Sequence, residues 1–528
     1  MKFIKHTPSL NNNIMKQIRI FCMIVMLFIC TNLRANNIVI SNITSVTGSG
    51  FVQLQFDLSW ENSWKSSINY DAAWVFFKFK DLDGTWRHLS LTNANNSITA
   101  GFTINVPGDL TGAMIFRNTT SSGTVTLTGV RVGVTNLPGS FDIKGFALEM
   151  VQIPGSNTYY LGDGESGTYY TAGGTILPFL VTSSTITMGT LAGNLDDGIQ
   201  NGALATGFPV GYNGTSSIYM MKHEVSQGAY RDFLNSLTYD QQTTRTAFTP
   251  NSAAGTVALN VSQITRRNGI KISTPGVSNT TPAVYSCDLS NNAVYNEAND
   301  GEWIACNYLT YMDLAAFLDW AALRPMTEME FEKSCRGTVY PVSAENAAGT
   351  VAAASTTYPI INPGTANEAV SPYSGSVFNA NITYNSTSPT SNSPLRVGIH
   401  ATAFANRISA GAGYYGALDL SGNIEEVCVT SGCVAGRSFT GVSGDGTLTT
   451  AGDADENFWP GINGNAVVTT ANTAYGGTTG VTSNAGVTGR GGSAGYTGFN
   501  LNKVSYRTNS TVGGVRSNVS GGRGVKVF

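Results

Sequence analysis

The residue types able to do chemistry are few in this chain, so their spacing carries the argument. Of its 7 cysteines, Cys22 and Cys30 fall in an N-terminal apolar run, leaving Cys287, Cys306, Cys335, Cys428 and Cys433. Thiolates are soft ligands suited to copper(I), and in an oxidising compartment neighbouring thiols form disulfides. Cys428 and Cys433 flank a short loop and could pair, and Cys287 and Cys306 bracket a polar loop and could also pair. Spacing alone does not fix connectivity. Cys335 sits in a helical pattern and reads as a small buried apolar residue. The histidines after the N-terminal run are His88, His223 and His400, so a three-His metal site requires distant segments to converge. His88 reads as a surface residue beside a turn, and His223 as a local cap or surface residue before a helix. No GxSxG elbow, HExxH pair or phosphate-binding P-loop occurs. The adjacent Glu425 and Glu426 offer carboxylates, and Asp288 to Glu297 is a weak match to an acidic calcium loop, because most of the alternating carboxylates are missing.

These residues need a scaffold, and composition limits which. The chain has 528 residues, a formal charge of −3, 12% charged residues, 10% aromatics and 60 glycines. So low a charge supplies no clustered basic footprint for nucleic acid. The aromatics are enough for a large core and exclude wholesale disorder. The length implies more than one domain.

Residues 1–35 read as a signal peptide. Lys16 and Arg19 precede the apolar run Ile20 to Ile29, which is too short for a spanning helix, and Ala35 is a small residue at a cleavage point. A rival reading is a lipid anchor on Cys30, against which stands Ile29, where a small residue is expected. No later segment is apolar enough to span a membrane. The mature chain is expected to be exported: periplasmic, at the cell surface or extracellular.

Residues 36–140 alternate with period two. Val52, Leu54, Phe56, Leu58 and Trp60 fall on one strand face, and Asp83-Gly84 supplies hairpin chemistry. A β-sandwich module is expected, with Trp60, Trp74 and Trp86 in its core. From about residue 145 the pattern becomes short strands, long Gly/Thr/Asn loops and helices. Tyr230, Phe233, Leu234 and Leu237 make one apolar stripe behind the N-cap Ser226. Leu314, Phe317, Leu318 and Ala321 make another. Thr327 and Glu330 fit a capping box that opens a further helix, with Phe331 and Cys335 on its buried face.

Five motifs occur in order: EVSQGAYRDFLNSL at 224–237, RPMTEMEFEKSCRG at 324–337, YYGALDLSGNIEEV at 414–427, RGGS at 490–493 and GGRGVKVF at 521–528. Together they resemble the formylglycine-generating enzyme family, the sulfatase-modifying-factor domain, over about 145–528. The combination with the front module also resembles multidomain exported proteins of the Bacteroidota. The resemblance implies an α+β chain, with the N-terminal β-sandwich followed by an irregular, loop-rich domain related to C-type lectins.

In that family two cysteines just behind the GGS motif bind copper(I) and activate oxygen. Here the residues after Ser493 contain no Cys, so the resemblance implies a pseudoenzyme and copper is not expected. The related iron-dependent sulfoxide synthases need a His-bearing helical domain that this chain lacks. The family's GNxxE motif holds structural calcium, which implies Asn423 and Glu426 as metal ligands. Glu330, Arg336 and Arg490 are expected to cap helices and tie loops rather than to catalyse. The place of the lost active-site groove, 494–510, offers Tyr496, Phe499 and Tyr506 as a ligand surface. The expected function is non-catalytic, binding or structural, toward a protein or glycan at the cell envelope. The alternative is a metal-dependent oxidase with a metal site outside the family positions.

Overall fold

The computed structural model describes residues 37–135, 142–165, 170–197, 213–259, 264, 266–353, 359–371, 378–386, 390–402, 405–432, 434–456, 459–460, 486–507 and 516–528. The expected signal peptide and Cys433 lie outside the described residues. The described fold is α+β and rich in strands, with several sheets and four helices of seven or more residues. Among the described residues, no helix is long and apolar enough to cross a membrane.

Two sheets face each other at the front. One runs Val39–Gly48, Phe51–Lys65, Ser121–Val134, Leu91–Ser97 in spatial order. On Phe51–Lys65 the alternation holds: Leu54, Phe56, Leu58 and Trp60 are buried. The second sheet has eight strands, with Asp71–Lys80 between Ile143–Ile153 and Ala113–Arg117. Trp86–His88 pairs back onto Asp71–Lys80 through the expected hairpin, where Gly84 takes a φ of 84°. Asp71–Lys80 does not alternate, because both its faces are covered. Ala73, Val75 and Phe77 pack into the sandwich. Ala72, Trp74 and Phe76 pack the other way, against a core that includes Phe233, Phe317 and Trp320 of two helices. Trp60 and Trp74 are core residues as expected, whereas Trp86 is only half-buried, with Lys144 Nζ 4.4 Å from its ring centroid.

The eight-stranded sheet continues across the expected boundary at 140–145. Beyond Ile143–Ile153 it takes in Ile218–Met221, then Gly524–Val527, then Arg324–Pro325. Front module and rear region therefore share one sheet, and residues 35–528 form one compact unit. The physical reason is the second apolar face of Asp71–Lys80, which the rear helices cover.

The helix signals hold. Ser226 Oγ accepts the Ala229 N–H at the start of Gln227–Leu234, whose stripe residues Tyr230, Phe233 and Leu234 are buried. Thr327 and Glu330 form the capping box of Glu328–Arg336. That helix departs from an amphipathic pattern, because every position is buried.

Candidate functional site

A helix containing Glu328, Glu330, Glu332, Lys333 and Arg336 can be buried on all sides only if each charge is paired, since an unpaired buried charge costs several kcal/mol. Each finds a partner. Glu328 binds Arg490 at 2.9 Å and Arg507 Nε at 2.6 Å, and Glu332 binds Arg336 and Arg490. Glu330 pairs with Arg324, Arg336 also reaches Glu345, and Lys333 Nζ donates to the Gly214 carbonyl at 2.6 Å. Tyr170 donates its hydroxyl to Glu328 at 2.8 Å, with the Arg507 guanidinium 4.2 Å from its ring centroid. Burial alone would raise the Glu328 carboxyl; Arg507 and Arg490 outweigh it and bring it down to about 2. Arg336 and Arg490 thus tie loops, as expected. The motif's Gly491 sits at φ +82°, where an added Cβ would lie 2.7 Å from the Leu420 carbonyl.

The sequence-derived site residues lie beside this knot. Asn423 is buried, its Oδ1 accepting the Leu395 N–H at 2.9 Å. Glu426 is fully buried and paired with Arg523 through Nε at 2.8 Å, while burial pushes its carboxyl up to about 7. Asn423 Oδ1 and Glu426 Oε1 therefore have protein partners, while Glu426 Oε2 meets no donor. Tyr496 donates to Glu425 Oε2 at 3.0 Å, and Tyr506 lies near the same carboxylate. Phe499 packs on Tyr384, ring centroids 5.8 Å apart, beside Ala348, Ala380 and Ile382. All three are half-buried: two gather around Glu425 and Phe499 stands apart.

The four described thiols and the imidazoles of His88 and His400 are structural in placement. Cys287 and Cys306 are free buried thiols, which corrects the disulfide expected between them; each packs into the main apolar core. Cys335 and Cys428 are free and buried in a second cluster. Burial pushes all four thiols above their usual range, so they are protonated and poor ligands. His88 is not a surface residue: it stacks on Phe76, and its Nε2 lies 2.5 Å from the Thr111 carbonyl oxygen. His223 is likewise buried rather than a cap or surface group, because the segment before the helix forms part of the central sheet's flank. His400 is buried against Thr383 at 3.0 Å, and burial with Arg396 nearby brings its imidazole down to about 3. Among the described residues, the one acidic group whose oxygens approach within 4.8 Å is Asp319, Asp455 and Glu456. Asp319 there accepts the backbone N–H groups of Asp445 and Asp455, which closes the 445–455 loop.

An aromatic-lined cavity lies elsewhere. A space of about 430 Å³ opens between the end of strand Phe51–Lys65 and the 401–418 loop. Trp64 and Tyr414 line it, with Asn62, Asn406 and Arg407 on the rim. Tyr415 packs edge-on against Tyr414 at 5.0 Å and 80°, and Arg407 lies 5.2 Å from the Tyr414 centroid. Arg407 is anchored by donating to the Cys335 and Ala347 carbonyls at 3.1 Å each. Gly416, at φ +95°, lets the backbone come against Trp64; an added Cβ would lie 2.9 Å from the indole. Its size and mixed aromatic and polar lining are those of a small-molecule site.

Compared with known proteins, the chain matches no family model, and no curated protein sequence matches it. In the sequence Tyr414 and Tyr415 stand within the YYGALDLSGNIEEV motif, and no local pattern links them to Trp64. Only the pairing of the front strand with the 401–418 loop brings them together.

Proposed function

We propose that the protein is a non-catalytic binding protein of the cell envelope or extracellular space that takes a carbohydrate in the cavity of Trp64 and Tyr414. The aromatic cavity of about 430 Å³ is the observation that carries this reading. A sugar ring presents apolar C–H faces and hydroxyl edges; aromatic rings pack against the first, and amide and guanidinium groups bond the second. Asn62, Asn406 and Arg407 supply those polar groups at the rim. The order of motifs resembling the formylglycine-generating enzymes supports a scaffold of that type. The missing thiolates behind Ser493 and the protonated state of the four described thiols support a binding role over copper chemistry.

The test is a glycan-array screen with the mature chain, followed by titration of each hit against Trp64→Ala and Tyr414→Ala. Hits that weaken at least tenfold in both variants support the assignment. Hits that bind both variants unchanged refute it. The oxidase alternative predicts about one copper or iron per chain after metal loading, together with oxygen uptake, and that result would replace the binding reading.

A further inference from the structure

A second cavity, of about 180 Å³, lies on the other side of the Glu149–Lys222 pair. Its polar lining is dominated by acceptors. Glu224 is 2% exposed; its carboxyl oxygens meet no N–H donor, and the one polar side chain bonded to it is another acid, Asp419. Glu149 Oε2 accepts from Lys222 at 2.9 Å, while its Oε1 has no partner. His223 Nε2, also buried, has none. Arg523, the guanidinium near Glu224, gives its N–H groups to Glu426 and to the Met221, Lys222 and Leu418 carbonyls. Lys222 lines the aromatic cavity instead of this one. Arg231 does line the space, but two acids, Asp232 and Glu302, hold it.

Burying acceptors without donors is unfavourable, the more so when they are charged. A ligand rich in donors and free of acceptors would relieve them. An alkylammonium is such a group, with three N–H donors, no acceptor and an apolar stem. The apolar lining of Ala147, Leu148, Met221 and Ala229 suits that stem, and Trp303 offers an aromatic wall. A bare metal ion fits less well, since these donors are not among the ligand atoms that converge within 4.8 Å.

We propose that this cavity binds a primary alkylammonium group, with Glu224 as its principal acceptor and Glu149 and His223 lining the same space. Burial and the neighbouring Asp419 hold the Glu224 carboxyl well above its usual range, and an arriving cation favours its ionised form.

The experiment is isothermal titration of the folded chain with n-butylammonium, using n-butanol as the neutral twin. Butylammonium should bind at least tenfold more tightly than butanol. Glu224→Gln, which keeps the shape, should weaken it at least tenfold. Ala229→Leu, which fills the cavity without changing charge, should do the same and serves if the Gln variant does not fold. Nα-acetyl-lysine amide distinguishes the source: equal or tighter binding assigns the site to a lysine side chain of a partner, and binding of butylammonium alone assigns it to a free amine. Equal binding of butanol and butylammonium, no binding of either, or unchanged binding in a folded variant overturns the proposal.

Discussion

Glu328→Gln tests the ionic knot with a number that follows from its geometry. Arg507 and Arg490 hold the wild-type carboxyl at about 2, against about 4.5 for an unperturbed glutamate. At about 1.36 kcal/mol per unit this is roughly 3 kcal/mol of stability at pH 7. The substitution also leaves Arg507 without its carboxylate partner in a buried setting, so the total loss at pH 7 should be about 3–5 kcal/mol. The sign follows from a depressed acid. Its contribution is fully present above the unfolded value, near pH 4.5, and disappears as pH falls through about 2. The charge-linked part of the gap between wild type and variant should therefore shrink to about 1.4 kcal/mol by pH 3, because protonated Glu resembles Gln. Urea unfolding followed by tryptophan fluorescence at pH 7, 4 and 3 measures the gap directly. A gap below about 1 kcal/mol at pH 7, or one that stays constant down to pH 3, refutes the reasoning.

Tyr170→Phe removes the hydroxyl that donates to Glu328 at 2.8 Å and should lower stability by about 1–3 kcal/mol in the same urea assay. Gly491→Ala forces a left-handed φ of 82° and a contact with the Leu420 carbonyl; a loss of about 2 kcal/mol or more is expected by thermal melt. Glu426 has a raised carboxyl, so the wild type should gain stability as pH falls from about 7 toward 4.5, and Glu426→Gln should flatten that slope in a pH series of melting temperatures. Iodoacetamide at pH 8 should leave Cys287, Cys306, Cys335 and Cys428 unmodified in the native protein and label them in urea, as read by peptide mass spectrometry.

Local signals in the sequence were legible where short-range physics decides. The alternation of Leu54 to Trp60, the Gly84 turn, the Ser226 cap and the Thr327–Glu330 capping box all depend on residues within a few positions of one another. The shared sheet was not legible. Ala72, Trp74 and Phe76 look like further sandwich core until helices more than 150 residues away cover them. His223 and Glu224 illustrate the same limit. They sit next to a correctly read N-cap, yet the charges that face them, Asp419 and Arg523, come from distant segments. Glu328 stands 162 residues from Arg490 and 179 from Arg507, so of this knot only Arg490 was expected to tie a loop, and its partners were not legible. Trp64 and Tyr414 meet for a similar reason, through a loop whose path no periodicity encodes.

The strand Gly524–Val527 has a consequence for how the chain folds as it is made. It sits between Ile218–Met221 and Arg324–Pro325, so the edge of Ile218–Met221 stays open until about 300 further residues have been synthesised. At roughly 5–20 residues per second that interval is about 15–60 s. Throughout it the nascent protein carries a fully apolar strand, Ile-Tyr-Met-Met, with unpaired backbone N–H and C=O groups along one side. Until Gly524–Val527 arrives, that margin is open to pairing with the edge of any other chain.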